Sequence, residues 1–122
     1  MAYVVRPYDV TEHRDDRYGS VFELNLPQPS QIKNLGFAFA TVDVGKRSPD
    51  HHHQHTEEIY HILEGKGRMY LSGESVDVSA GDTVFIPVNT KHSLENTGSS
   101  VLRFIVITSP PYDYDDDIED ES

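Results

Sequence analysis

No stretch of this chain holds apolar residues at a helical 3.6-residue spacing for ten positions. What recurs is a short alternating run closed by glycine or proline. Leu35–Val44 alternates and stops at Gly45, Ile59–Glu64 stops at Gly65, and residues 68–72 stop at Gly73. Glu74–Val78 and Asp82–Ile86 flank Ala80–Gly81; Lys91–Asn96 precedes a turn at Thr97–Ser100; Val101–Thr108 ends before Pro110–Pro111. Short strands at near-regular spacing with glycine turns predict an all-β sandwich or barrel. Val21–Leu26, stopped by Pro27 and Pro29, adds a short strand. Tyr3–Val5 is a candidate edge strand, and the polar residues up to 20 read as a loop that includes His13. Inward-facing candidates are Phe37, Phe39, Tyr70, Phe85, Leu94, Leu102, Phe104 and Val106. In Leu35–Val44 the opposite parity, Ala38, Ala40 and Val42, is also apolar, and Phe85 competes in the same way with Val84 and Ile86.

At 122 residues the chain has room for one core. Its formal net charge is −11, from 21 acidic and 10 basic residues. Seven of the acids, Asp113, Asp115, Asp116, Asp117, Glu119, Asp120 and Glu121, fall in the last ten residues. The division expected is therefore a β-barrel domain over 1–111 and an acidic, solvated tail over 112–122. Nothing here makes the basic stripe that nucleic acid binding needs. No apolar run approaches the length of a helical membrane span, and the first residues carry charge with no leader-like apolar core. A cytoplasmic protein is the expectation. With no cysteine there is no disulfide framework and no thiolate ligand or nucleophile.

The chemistry concentrates in residues 45–65, GKRSPDHHHQHTEEIYHILEG. His51, His52, His53 and His55 fall within five positions, followed by Glu57 and Glu58. In an extended chain residues two apart share a face, so His51 and His53 would present two imidazoles together. Imidazoles with a carboxylate suit zinc, iron, manganese, nickel or copper. His52 has the opposite parity and should point away. His55 rivals the pair 51/53, Glu57 rivals Glu58, and His61 has parity opposite to Glu58. Tyr60 and Ile62 share the parity of Glu58 and are candidates for a pocket wall.

A second stretch, GDTVFIPVNTKHSLEN over 81–96, offers His92 at the start of a strand, with Leu94 and Asn96 at the same parity. Together the two stretches resemble the motifs of the cupin superfamily. The first motif is met by Gly45, His51, His53, Glu58 and Gly65, with four residues between His53 and Glu58. The second is met by Gly81, Pro87, His92 and Asn96, with Asn89 where the family has glycine. Asn tolerates left-handed backbone better than most residues, so the departure concerns loop shape alone. Fifteen residues, 66–80, separate the motifs, as in small single-domain microbial cupins. HTEEIYHILEGKGRMYL further resembles the metal region of mannose-6-phosphate-isomerase-like cupins.

The resemblance implies a double-stranded β-helix, or jelly-roll barrel, with one divalent transition-metal ion per chain (Fe, Mn, Ni or Zn) in its mouth. By position it implies His51, His53, Glu58 and His92 as ligands. Such a set leaves one or two coordination positions open, as a catalytic site requires. Glu58 is also a candidate general base. Tyr60, Arg68, Thr41 and Asn96 are candidates to orient a small-molecule substrate, Tyr60 as a catalytic residue. Three functions follow: a metal-dependent dioxygenase or related oxidoreductase, a sugar or sugar-phosphate isomerase or epimerase, and a non-catalytic small-ligand binder. Only Arg68 and Arg103 are candidates on the strands to bind a phosphate. A homodimer is expected, because an open sheet edge favours pairing, with Tyr3–Val5 a candidate for exchange.

Overall fold

The computed structural model describes residues 10–23, 34–111 and 116–120. Among these residues there is no α-helix, and two antiparallel sheets account for the architecture. The chain runs β1 (Thr11–Asp15), β2 (Gly19–Glu23), β3 (Gly36–Val42), β4 (His51–His52), β5 (Glu57–Glu64) and β6 (Lys66–Leu71). It continues with β7 (Glu74–Ser79), β8 (Thr83–Ile86), β9 (His92–Asn96), β10 (Leu102–Ser109) and β11 (Ile118–Glu119). One sheet has the order β1-β2-β3-β10-β5-β8 and the other β11-β4-β9-β6-β7. Sequence neighbours such as β4 and β5 therefore lie in different sheets. This is the jelly-roll arrangement expected from the sequence, in which side chains of two facing sheets share one interior.

Alternation decides what enters that interior. In β5 Glu58, Tyr60 and Ile62 are buried, while Ile59 and Leu63 are exposed. Val42, Ile62, Met69, Ile86, Leu94 and Leu102 are at most 1% exposed and form the centre of the core. Burying a side chain of that size stabilises by about 1.5–3 kcal/mol. In β3 and β8, where both parities are apolar, the inner sets are Ala40 and Val42, and Val84 and Ile86. Phe39 and Phe85 are 40% and 57% exposed and point outward, contrary to expectation. Tyr70 also lies outside the core, its hydroxyl donating to Glu95 and its ring stacked under the Arg47 guanidinium. Leu94, Leu102 and Phe104 face inward as expected.

Two segments read as irregular are strands. Residues 11–15, taken as loop, form β1, paired with β2 from Thr11↔Glu23 to Asp15↔Gly19. Residues 118–119, taken as part of a solvated tail, form β11 on β4, with Ile118 opposite His52 and Glu119 opposite His51. The candidate strand Tyr3–Val5 lies outside the described residues. Asn89 has φ 57°, the left-handed value anticipated for it, and its N–H donates to the His53 carbonyl at 2.7 Å.

Candidate metal centre

β4 and β9 pair with His51 directly opposite His92. Cross-strand partners on one face have Cβ atoms roughly 5 Å apart, and the two rings follow with centroids 4.1 Å apart. β4 ends at His52, and the chain leaves the sheet over residues 53–56 before entering the opposite sheet as β5. That crossing carries His53 beneath the first pair and delivers Glu58 from the facing wall. One potential ligand atom from each of His51, His53, Glu58 and His92 lies within 4.8 Å of all the others. His53, Glu58 and His92 are buried, and His51 is half-buried.

The donor chemistry follows from what holds the rings. Nδ1 of His51 donates to Pro49 O at 3.0 Å, Nδ1 of His53 to Asp116 O at 3.0 Å, and Nδ1 of His92 to Thr90 O at 2.7 Å. A carbonyl only accepts, so each Nδ1 bears the hydrogen. In a neutral ring that leaves the lone pair on Nε2. The Nε2 atoms of His53 and His92 lie 2.8 Å and 3.2 Å from Glu58 Oε1. Glu58 Oε1 and His92 Nε2 are fully buried and make no hydrogen bond of acceptable geometry. Three imidazoles and a carboxylate thus converge in a largely buried site, in which Glu58 Oε1 and His92 Nε2 lack a hydrogen-bond partner. Buried polar groups without partners are costly, and a shared cation removes that cost. The set fits a divalent transition metal, and backbone acceptors behind each histidine are the support such ligands use.

Electrostatics agree. Burial and the facing His92 hold the His51 imidazole below its usual range. Burial also pulls His53 down, but the Glu58 carboxylate against its Nε2 outweighs this, so its net direction is upward. Burial pushes the Glu58 carboxyl up, and the imidazoles of His53 and His92 overcome this, lowering it to about 2. Glu58 is therefore an anion throughout the physiological range.

His51, His53 and Glu58 of the cluster line a cavity of about 410 Å³, a volume typical of small-molecule sites. Tyr60, Phe104, Ala40 and Val42 belong both to the core and to this cavity, and Val106 and Val21 extend its apolar wall. The Tyr60 ring packs on Phe104 and His92, with centroids 4.9 Å and 5.9 Å away. The rim is polar and comes from segments that carried no signal in the sequence: His13, Arg14, Arg17 and Tyr18 of the first hairpin, and Asp117 and Glu119 near β11. His13, read as a loop residue, sits in β1 against Glu23 at 3.7 Å. Burial, with the charges of Asp15 and Asp117, pushes the Tyr18 hydroxyl up. Arg17 bonds Asp15 and Glu119 at 2.7 Å each, and Arg14 bonds Asp43 and Asp16.

The rivals fall outside the cluster. His55 and Glu57 are exposed. His52 points away as its parity requires, with Nδ1 on the Asp120 carboxylate at 2.9 Å. His61 contacts Thr83 Oγ1 on the outer face of β5. Of the four candidates for orienting a substrate, only Tyr60 lines the cavity. Arg68 pairs with Asp77 and Ser75, and Arg103 with Glu64, on exposed surfaces. Thr41 Oγ1 accepts from Ser20 N. Asn96 Nδ2 donates to Val42 O and Ser100 O while its Oδ1 accepts from Gly98 N, which makes it the staple of the β9–β10 turn.

A two-sheet barrel with three imidazoles and a carboxylate gathered in its interior defines a jelly roll whose cluster could hold a metal ion. Comparison with known proteins gives the same class. The family described as Cupin domain matches residues 38–108, and the chain belongs to that family. An uncharacterised protein of Methanocaldococcus jannaschii is 36% identical over 118 residues, covering 95% of this chain and 94% of its own. An oxalate-binding protein of Thermotoga maritima is 32% identical over 110 residues, covering 85% and 91%. Among solved structures, a Thermotoga maritima protein described as a predicted oxalate decarboxylase aligns with TM-score 0.74 at 31% identity, over 88% of this chain and 99% of that one. Streptomyces Pac13 with uridine aligns with TM-score 0.82 over 99% and 92%, but at 16% identity this likeness is one of fold. No helix of the described residues is long and apolar enough to cross a membrane.

Proposed function

We propose that this cupin holds one divalent transition-metal ion through His51, His53, Glu58 and His92. It uses that ion as an oxidoreductase of dioxygenase type on a small organic molecule with adjacent hydroxyl or enol oxygens. The observation that supports this most is the convergence of four potential ligand atoms within 4.8 Å, three of them from residues that line the cavity. When bound, such a metal supplies Lewis acidity toward the substrate oxygens and, if redox-active, a means of using dioxygen. Glu58, an anion that lines the cavity, is also the candidate to accept a proton from a substrate hydroxyl. Tyr60, braced by Phe104 and His92, orients the bound molecule. Val21, Ala38, Phe104 and Val106 hold its carbon skeleton and exclude water.

Charge selects the substrate class. Five carboxylates line the cavity, Asp15, Glu23, Glu58, Asp117 and Glu119, against two guanidiniums, Arg14 and Arg17. Both guanidiniums are already bonded to carboxylates. Even a divalent ion leaves that wall net negative, which favours a neutral or singly charged ligand over a dianion or a phosphate. Arg68 and Arg103, the candidates on the strands to bind a phosphate, are committed elsewhere, and this weakens the isomerase reading for phosphorylated sugars. The likeness to an oxalate-binding protein supports a second reading, in which a carboxylate ligand is held without turnover.

Calorimetry and an oxygen electrode separate the two. Protein loaded with Fe(II) should bind a neutral vicinal diol such as catechol more tightly than oxalate and consume oxygen with it. Tyr60→Phe should keep its metal and lose turnover. Tighter binding of oxalate, with no oxygen uptake, would replace the first reading by the second. The working unit is proposed as a homodimer, and scattering that shows only monomers would reject that.

A further inference from the structure

The three histidines are not held alike. The acceptors for His51 and His92 Nδ1, Pro49 O and Thr90 O, each lie two residues away on the same strand or its approach. The acceptor for His53 Nδ1 is Asp116 O, 63 residues on. His53 also stands where the sheet has ended. β4 stops at His52, so the N–H groups of residues 54 and 55 have no strand to pair with. Asp116 supplies both partners: Oδ1 accepts from Gln54 N at 2.8 Å and Oδ2 from His55 N at 3.0 Å. Asp116 itself is buried, 7% exposed.

Burial pushes the Asp116 carboxyl up, and the His55 and Gln54 N–H groups outweigh it, holding it below the usual range. The segment carrying it is fastened on either side of the site. Asp120 accepts from His52 Nδ1 and its N–H donates to Asp50 O at 2.7 Å, while Glu119 bonds Arg17 of the first hairpin.

We propose that Asp116 is a positioning residue for the metal centre. It aims the His53 ring through its carbonyl and fixes the backbone of residues 53–55 through its carboxylate, so that the acidic C-terminal segment is a working part of the site. The inference rests on the reading that His51, His53, Glu58 and His92 hold a metal. It adds that one of those ligands is oriented from outside the two motifs that contain them all.

The test is metal affinity in full-length protein, measured by competition with a chromogenic chelator for zinc and cobalt(II). Melting in chelator and the visible spectrum of the cobalt form are followed in parallel. Asp116→Ala is expected to lower affinity about 10- to 100-fold and to alter the cobalt spectrum, the usual scale for a lost ligand support. Asp116→Asn should fall between it and the parent, because one side-chain acceptor remains where the carboxylate offered two. Asp120→Ala, which loosens the segment without touching His53, should stay within about threefold of the parent, as the contacts behind the ligand are kept.

A folded Asp116→Ala protein with parental affinity and spectrum would overturn the proposal. So would a lowered melting temperature with affinity unchanged, since that is a structural role only. If the alanine variant does not fold, the asparagine variant decides, and parental affinity there overturns it. Absence of metal binding by the parent would refute the metal reading itself, a different failure.

Discussion

Glu58 gives the most direct prediction, because its environment sets both the size and the pH range of an effect. The residue is 3% exposed, and two imidazoles lower its carboxyl from 4.5 to about 2. Each tenfold change in proton affinity is worth about 1.4 kcal/mol, so the metal-free protein gains about 3 kcal/mol from keeping this group ionised. The sign is that of a depressed acid. The contribution is complete above 4.5, its ordinary value, and disappears as pH falls from there to about 2. His53 is raised, so its share is present below 6.5 and lost as pH climbs through the higher folded value. Both describe one contact, His53 Nε2 to Glu58 Oε1 at 2.8 Å, and are not added. The perturbation is Glu58→Gln, which keeps the volume and avoids a cavity. In chelator at pH 6 the variant should be less stable by about 3 kcal/mol, roughly 10 °C in melting temperature for a domain of this size. The gap should narrow as pH falls below 4.5 and be nearly gone by about pH 2, because protonation then removes the same charge from the parent. Parallel stability curves from pH 6 to 2 would refute the assignment of the depressed carboxyl to this pair.

Three further outcomes can be checked separately. Protein purified without added metal should contain one divalent ion per chain by elemental analysis, and His92→Ala should contain none; zinc at 100 times its dissociation constant should stabilise the parent by about 2.7 kcal/mol and leave that variant unmoved. Asn96→Ala removes a donor to Val42 O and Ser100 O and an acceptor for Gly98 N in a buried turn, and urea unfolding should show a loss of about 2–4 kcal/mol. In Gly19→Ala the new Cβ would stand 2.0 Å from Thr41 O, which forces β2 off β3, so a cost of at least about 3 kcal/mol and exposure of the hairpin to protease are expected.

Much of this arrangement was readable because two kinds of signal were local. Alternation closed by a turn gives β5, β6, β9 and β10 nearly at their observed bounds, and the resemblance of two stretches to family motifs names the four residues whose potential ligand atoms cluster. Where the reading failed, the physics was not local. β1 is TEHRD, a strand with no apolar alternation, exposed along nearly its whole length. It exists because β2 offers an edge and because Arg14 reaches Asp43 and His13 reaches Glu23. Phe39 and Phe85 face out since the interior beside them is filled by Tyr60, Phe104 and Ile62, and the smaller parity of each strand is the one that fits.

The C-terminal segment shows the same limit in its sharpest form. By composition a run of aspartates is self-repelling and solvated. Repulsion is overcome here because the described acids are separated by their partners. Asp116 meets two backbone N–H groups, Glu119 meets Arg17, and Asp120 meets His52. Each partner is more than 60 positions away along the chain, and none is part of a periodic pattern. One trace was present. The histidines in 51–55 outnumber by two those the motif uses, and one of these, His52, is a half-buried imidazole of outward parity that needs an acceptor outside the cluster. Asp120 is that acceptor, at 2.9 Å. A residue that a motif leaves unexplained is thus the place to look for the segment that backs the motif.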